Sequence, residues 1–249
     1  MAGHSHWAQI KHKKAKIDAQ RGKIFSKLIR EITVAVREGG PNPETNSRLR
    51  TAIENARKVN MPMETIERAI KKGSGELGGE TYEEVVYEGY GPGGAAIMVI
   101  TATDNRNRTT AEVRHVFSKY GGNLGSSGCV SYMFEKVGYM EIPKDALSEE
   151  ELYEKAIEAG AEDIQVGETS YIVYTKPELL YTVKDYLSKW NIPVENANIN
   201  YKPISSVQIT DPETAKRLLK LLDALDDLDD VQMVISNFDI PEEVLKASA

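Results

Sequence analysis

Residues 138–202 alternate between two hydrophobic periodicities, and the order of that alternation limits the folds open to the chain. Apolar residues recur at every second position in a strand and at every third or fourth position in a helix. The successive segments are strand-like YMEIP, helical SEEELYEKAIEAG, strand-like DIQVG and YIVYT, helical PELLYTVKDYLSKW and strand-like NANINY. Strand-helix-strand-strand-helix-strand is the order of a complete ferredoxin-like α+β unit.

The flanking segments, residues 95–136 and 204–238, repeat this unit with a cut between its second and third strands. CVSYMFEKV and SSVQIT are read as the two strands beside the cut. That junction is ordinarily a hairpin tip, where an inserted domain is best tolerated. We therefore predict one ferredoxin-like domain inserted in another. One large continuous sheet is the alternative, and it would need long structureless connections that the sequence does not contain.

The first 75 residues carry helical patterns. The first pattern runs from Asp18 to Gly39, Asn42 is read as the cap of the second, and Gly73 ends the third. Isolated helices of this length are unstable in water, so the three are predicted to pack into a bundle.

The predicted fold class is α+β, with the three-helix bundle preceding the two ferredoxin-like domains. The predicted domains are a basic helical domain (1–80), a split ferredoxin-like domain (81–136 with 204–249) and the inserted one (137–203).

Charge is distributed unevenly along this chain. Residues 1–75 hold sixteen Lys and Arg against seven acids, a formal charge of +9, whereas the remaining residues carry −16 and the whole chain −7. A surface of one sign steers oppositely charged partners toward itself. A basic N-terminal region on an acidic body therefore indicates a polyanionic partner, with an ordinary solvated bundle as the alternative.

The positive charge is concentrated in KHKKAKIDAQRGKIFSKLIR, residues 11–30. Neutralising phosphates releases counterions and gives affinity without reading sequence. On a helical wheel the first helix has an apolar face and a basic face that is expected to point away from the core. The candidate phosphate-binding residues are Lys11, His12, Lys13, Lys14, Lys16, Arg21, Lys23, Lys27 and Arg30.

A second candidate is the loop DNRNRTTAEVRH, residues 104–115, which follows a strand and opens a helix. Arg106 and Arg108 would flank a helix N-terminus, which favours anions, and Thr109 with Glu112 is read as a capping box. The two arginines are therefore added to the nucleic-acid-binding candidates. The alternative is that the Asn and Arg side chains only brace the turn.

Other motifs give no enzymatic or metal-binding signal. The glycine-rich stretches YGPGG and GGNLGSSG lack the spacing of phosphate loops and are read as turns. Three histidines near the start fall short of a zinc site, and DALDDLDD lacks the spacing of a calcium loop and is read as a solvated helix end. Cys129 on an apolar strand is read as inert packing. We expect no catalytic residues, no metal and no cofactor.

The cellular compartment is read from cysteine usage and from apolar runs. A single cysteine fits a reducing compartment. The start has no apolar stretch that could serve as a signal peptide, and the longest apolar run, AAIMVITA, is too short to cross a bilayer. A cytoplasmic protein without a membrane partner is expected.

Several of these motifs together resemble the YebC family, whose mitochondrial members include the translational activator of cytochrome c oxidase subunit one. They are GHSHWAQIKHKKAKIDAQRGKIFSKLIREI, GGPNPETNSRLRTAIENARKVNMP, RAIKKGSG, YEGYGPGG, DNRNRTTAEVRHVFSKYGGNLG and SYMF. The resemblance implies three domains and a non-enzymatic regulator of gene expression, either a DNA-binding transcriptional regulator or a factor acting on the ribosome or its mRNA. One departure is His6, where the family usually has lysine.

The predicted partner is therefore a nucleic acid, DNA or RNA, with the ribosome as one possible site of action. Cations spread over an arm, a helix face and a loop suit phosphate contact on folded RNA better than a single recognition helix in a DNA groove. The resemblance favours DNA, so both targets stay open. A protein-interaction module without nucleic-acid binding is the competing class, and an enzyme is the least favoured.

Overall fold

The computed structural model describes residues 21–79 and 81–248. Three helices come first, α1 (Arg21–Gly39), α2 (Ser47–Lys58) and α3 (Met63–Gly73). Their apolar faces enclose a small core in which Ile32, Leu49 and Ile66 are fully buried. The predicted N-terminal helices are confirmed within the described residues, and the predicted start of the first helix at Asp18 lies outside them.

The start of α2 differs from the prediction. Asn46 caps this helix, because its side-chain oxygen accepts a hydrogen bond from the backbone N–H of Leu49 at 3.1 Å. Its side-chain amide also donates to the carbonyls of Ala35 and Gly40, both at 2.8 Å. Asn42 instead accepts from the backbone N–H two residues on and forms a turn ahead of the helix. The prediction that Asn42 caps α2 is wrong, because one buried asparagine both starts α2 and ties down the end of α1.

The remaining elements form two antiparallel sheets with their helices. In chain order they are β1 (Glu83–Tyr90), β2 (Ala96–Thr103), α4 (Arg106–Lys119), β3 (Asn123–Leu124), β4 (Phe134–Pro143), α5 (Glu149–Ala159), β5 (Asp163–Val166), β6 (Ser170–Thr175), α6 (Leu180–Lys189), β7 (Asn196–Pro203), β8 (Val207–Gln208), α7 (Pro212–Asp226), β9 (Val231–Ser236), β10 (Phe238–Asp239) and α8 (Glu242–Ser248). This mixture of helices and sheets confirms the α+β fold class.

The first sheet has the strand order β3-β1-β2-β9, and all its pairings are antiparallel. Its core is closed by apolar residues of α4 and α7, among them Phe117, Leu218 and Leu222. Every residue of β2 is buried, as expected of a strand with a partner on each side and the core beside it.

The second sheet has the order β5-β6-β4-β7, again with antiparallel pairing throughout. Met140 and Ile142 of β4 pack against Leu152 of α5 and against Val183 and Leu187 of α6. Ser148 caps α5 with a full capping box to Glu151, and the observed helix lies within the predicted helical segment SEEELYEKAIEAG.

Phe134–Ile204 form one compact unit, and the described residues before and after this segment form the other. The three helices and the first sheet therefore belong to the same unit. The division into three domains ending at residues 80, 136 and 203 stays a prediction.

Two strand assignments of the split domain are wrong. Within CVSYMFEKV, the residues Ser131–Met133 form a 3-10 turn, and the strand that follows belongs to the second sheet. Within SSVQIT only two residues form a strand, β8, and among the described residues its partner is β10 alone, in parallel. The first sheet instead uses β1, from EVVYEGY, as a central strand. The alternation of apolar residues identifies strands, but it does not say which sheet receives them.

Candidate nucleic-acid interface

The charged face of α1 lies against the acidic end of α7. Lys27 Nζ donates to the backbone carbonyl of Asp226 at 2.8 Å and lies 3.4 Å from its carboxylate. Lys23 Nζ lies 3.1 Å from the carbonyl of Asp227 and 3.6 Å from its carboxylate. The two lysines are one helical turn apart, so both reach the same helix end. The DALDDLDD run is therefore an ion-pair partner as well as a helix end.

Arg30 continues this face into the interior. The residue is 8% exposed, and its guanidinium Nη1 pairs with the carboxylate of Asp230, which is 2% exposed. The same nitrogen donates to the carbonyl of Ala102 in β2 at 2.7 Å. The guanidinium also lies over the ring of Tyr82, 4.6 Å from its centroid. A cation this deeply buried is held by its carboxylate and is not presented to a ligand.

The Asp230 carboxylate accepts hydrogen bonds from three residues on two helices, Arg30 of α1 and Arg108 and Thr109 of α4. Arg108 Nη2 lies 3.0 Å from each carboxylate oxygen, and Thr109 Oγ1 lies 2.6 Å from Oδ2. Thr109 Oγ1 is equally 2.6 Å from Thr103 Oγ1. Because a hydroxyl has one proton to donate, Thr109 donates to the carboxylate and accepts from Thr103. The buried charge of Asp230 is thus fully surrounded by donors.

This surrounding sets the protonation of Asp230. Burial by itself would raise the pKa of the carboxyl, but hydrogen bonds from Thr109, Arg30 and Arg108 together outweigh it. The pKa therefore lies below its ordinary value, and the group stays ionised in the folded protein. The same carboxylate, together with Asp104, raises the pKa of Arg108.

The DNRN loop is organised by its first asparagine. Asn105 is the N-cap of α4, and its side chain accepts from the backbone N–H of Arg108 at 3.1 Å. The predicted capping box of Thr109 and Glu112 is wrong, because Thr109 is a buried residue inside the helix that bonds Asp230. Arg108 pairs with Asp104 at 2.9 Å as well as with Asp230, while Arg106 is exposed. Asn105 and Arg108 thus brace the turn, as the alternative interpretation of this loop expects.

A second carboxylate is held by the backbone of the glycine-rich stretch 121–128 and the residues after it. Glu88, 5% exposed, accepts from the N–H groups of Gly128 at 2.6 Å, Val130 at 3.1 Å and Ser131 at 2.6 Å. Burial would raise the pKa of Glu88, yet these three bonds bring it below its ordinary value. The backbone donors that could have received a phosphate here are used by the chain's own carboxylate.

Two family models match the chain. The model described as TACO1/YebC protein N-terminal domain matches residues 5–76, and the one described as TACO1/YebC second and third domain matches residues 82–238. The chain belongs to the TACO1/YebC family. The resemblance seen in the sequence is confirmed.

Relatives within the TACO1/YebC family are similar over their full length. A protein of Aquifex aeolicus is 70% identical over 246 residues, 99% of each chain, and one of Hydrogenobaculum is 62% identical over 247 residues, also 99% of each. Both are named "Probable transcriptional regulatory protein". A crystal structure of a conserved hypothetical protein from Aquifex aeolicus, 70% identical, has a TM-score of 0.90 and covers 96% of this chain and 99% of its own.

The sequence-predicted site residues of this TACO1/YebC protein fall into three groups. Lys11, His12, Lys13, Lys14 and Lys16 lie outside the described residues, and the Arg21 side chain does too. Lys23, Lys27, Arg30 and Arg108 each have acidic partners. The prediction that the basic face of α1 points away from the core is wrong for Arg30, because Asp230 draws it inward. Arg106 is exposed at the first position of α4.

Sequence reasoning gave no weight to four exposed cations of α2 and α3. They are Arg57, Lys58, Arg68 and Lys71. Arg57, Lys58 and Lys71 lie in the last turns of their helices, where cations complement the helix dipole. The sequence therefore predicts only that these cations stabilise the helix ends. It gives no sign that they could also contribute to a binding surface.

Among residues 21–79 and 81–248, no group of three or more His, Cys, Asp or Glu side chains is arranged to hold a metal ion. The three histidines considered for zinc lie outside these ranges. Within the same residues, no helix is long and apolar enough to span a bilayer. Burial, followed by the nearby Glu88 charge, raises the pKa of Cys129, which suits an unreactive thiol.

Proposed function

We propose that this protein is a non-enzymatic regulator of gene expression that binds nucleic acid through phosphate contacts from its basic N-terminal region. The observation that carries the proposal is the segregation of charge, +9 over residues 1–75 against −16 over the rest. Phosphate contact is electrostatic and does not depend on sequence, so a cluster of cations is sufficient for it. The names of the family relatives support a regulatory role.

The proposed contact surface combines the basic arm, residues 11–16, which lies outside the described residues, with exposed cations of the described residues. The basic arm supplies Lys11, Lys13, Lys14 and Lys16, and Arg106 adds an exposed cation at the start of α4. The exposed cations of α2 and α3 extend this set. Arg30 and Arg108 are assigned a supporting role, since both bind Asp230. The acidic remainder of the chain repels phosphate, so nucleic acid is held by the N-terminal region and by Arg106.

Transcription and translation remain as two forms of the proposal. The relatives' names favour DNA and transcription. The spread of cations over several elements favours folded RNA, where shape and backbone contacts dominate. Both forms act in the cytoplasm, which the single cysteine supports. Crosslinking in cells, with ribosome and chromosome fractions sequenced from the same sample, distinguishes the two forms.

A charge-neutralised arm tests the proposal directly. Changing Lys11, Lys13, Lys14 and Lys16 to Gln should weaken binding to duplex DNA and to an RNA hairpin, and it should flatten the dependence of log Kd on log salt. The slope on duplex DNA should fall by about 0.9 for each phosphate that the variant no longer neutralises.

The matched control changes four lysines of the unit 134–204 to Gln, with the same change in net charge. These are Lys136, Lys144, Lys176 and Lys189. The control should bind as the wild-type protein does. An equal loss of affinity in both variants would mean that net charge alone, and not the arm, accounts for the effect. Unchanged binding by the arm variant at low salt would favour a protein-interaction module instead.

A further inference from the structure

The ion pairs of α1 form a gradient of burial along one helix face. At Lys23 and Asp227 the two side chains are 44% and 67% exposed. At Lys27 and Asp226 the values fall to 24% and 16%, and at Arg30 and Asp230 to 10% and 2%. The outer end of the face is therefore in contact with water, and the inner end is part of the core.

The outer contacts give each lysine oxygen partners that carry negative charge, as the oxygens of a phosphate do. Each lysine amine meets a backbone carbonyl oxygen and a carboxylate oxygen of the same aspartate. These carbonyls lie at the C-terminal end of α7, where the helix dipole adds negative charge. A lysine ammonium is a flexible point charge that accepts a new oxygen partner without a fixed geometry. The Lys23 pair is exposed and therefore weak. The Lys27 pair is part-buried and still in contact with water, so an incoming polyanion can compete for both pairs, for the Lys23 pair first.

The inner contacts hold the scaffold while the outer ones change. Arg30 is bound to Asp230 and Ala102 in the interior, and Arg108 binds the same carboxylate from α4. Buried pairs of this kind resist the loss of one partner strongly. Lys23 and Lys27 can therefore exchange partners while α1 stays attached at Arg30.

We propose that Asp226 and Asp227 cover a phosphate-binding surface on α1. When the phosphate backbone of a nucleic acid displaces the two aspartates, Lys23 and Lys27 bind that backbone. The inference rests on the proposed function and adds to it a surface that the folded chain keeps covered. The acidic end of α7 thereby lowers the affinity for nucleic acid, so that only a ligand already engaged by other cations uncovers the two lysines.

The test removes the competing charges. In the Asp226→Asn/Asp227→Asn variant, binding to duplex DNA should tighten by about two- to thirtyfold, the effect of removing two weak competing pairs. The salt slope should also steepen by about 0.9 for each lysine that gains a phosphate. An RNA hairpin should show the same direction. Circular dichroism and calorimetry establish that each variant is folded.

Two further variants separate the local effect from net charge. Asp145→Asn/Glu168→Gln removes two exposed acids from loops of the unit 134–204 and should leave affinity close to that of the wild-type protein. Adding Lys23→Gln and Lys27→Gln to the Asn variant should cancel its gain.

The inference is overturned if the loop control gains as much affinity as the Asn variant, or if the gain survives the loss of both lysines. Absence of binding by the wild-type protein at low salt would instead remove the proposed function itself.

Discussion

Changing Asp230 to Asn takes the charge from a carboxylate that is 2% exposed and leaves Arg30, 8% exposed, without its counter-ion. Removing one partner of a buried pair destabilises a protein by about 3–5 kcal/mol, because the other charge stays buried and unpaired. Asn keeps the volume and one acceptor, so we expect a value near the lower bound, about 3 kcal/mol. At about 2–4 °C per kcal/mol, the Tm should fall by roughly 6–12 °C.

Urea unfolding at neutral pH, followed by calorimetry, measures this loss. The control is Asp229→Asn, since Asp229 is exposed and adjacent in sequence, and it should change the free energy of unfolding by less than about 0.5 kcal/mol. Arg108→Gln should cost about 1 kcal/mol or less, because its side chain is 43% exposed and solvent screens the pair. A loss below about 1 kcal/mol for Asp230→Asn would refute the account of Asp230 as the hub of a buried network, since that account rests on the cost of a buried pair.

Two further predictions concern pH and the inserted segment. Because the folded pKa of Asp230 is lowered, its carboxylate stabilises the fold above the unfolded pKa of about 3.9, and this contribution is lost as pH falls through the folded pKa. The stability difference between wild type and Asp230→Asn should therefore be constant from about pH 5 to 8 and shrink below about pH 4 in urea titrations; a difference that shrinks already between about pH 6 and 5 would contradict it. Replacing residues 134–204 by a short flexible linker should leave a cooperatively unfolding protein by calorimetry, because the first sheet takes no strand from that segment; a product without a thermal transition would count against insertion.

The sequence was sufficient for features that are set by neighbouring residues. Apolar periodicity located most helices and most strands, among them α5 within SEEELYEKAIEAG, whereas α8 was not predicted. The second sheet follows from its order of elements, since its two helices pack on one face of four consecutive strands. Local patterns predict these parts well because the interactions that select them join residues close in the chain.

The parts that could not be predicted depend on partners far apart in the chain. Arg30 reads as a surface residue on a helical wheel, and only the approach of Asp230, two hundred positions later, makes it a core residue. Ser131 lies in a stretch that alternates like a strand, but the carboxylate of Glu88 binds its N–H and those of two neighbours and holds them in a turn. In both places a buried charge overrides the periodicity, because an unsatisfied buried carboxylate costs more than the local preference of a few residues.

These carboxylates also change how the charge of the chain should be counted. The +9 of residues 1–75 includes Lys23, Lys27 and Arg30, whose partners lie in the acidic remainder. All three cations attach α1 through these acids, and only the two lysines are exposed enough to be released to a ligand, Lys23 before Lys27. Under the proposed function, the N-terminal region therefore has fewer cations free to bind phosphate than its sequence count suggests, and each acid neutralised at the end of α7 would return a lysine to the surface.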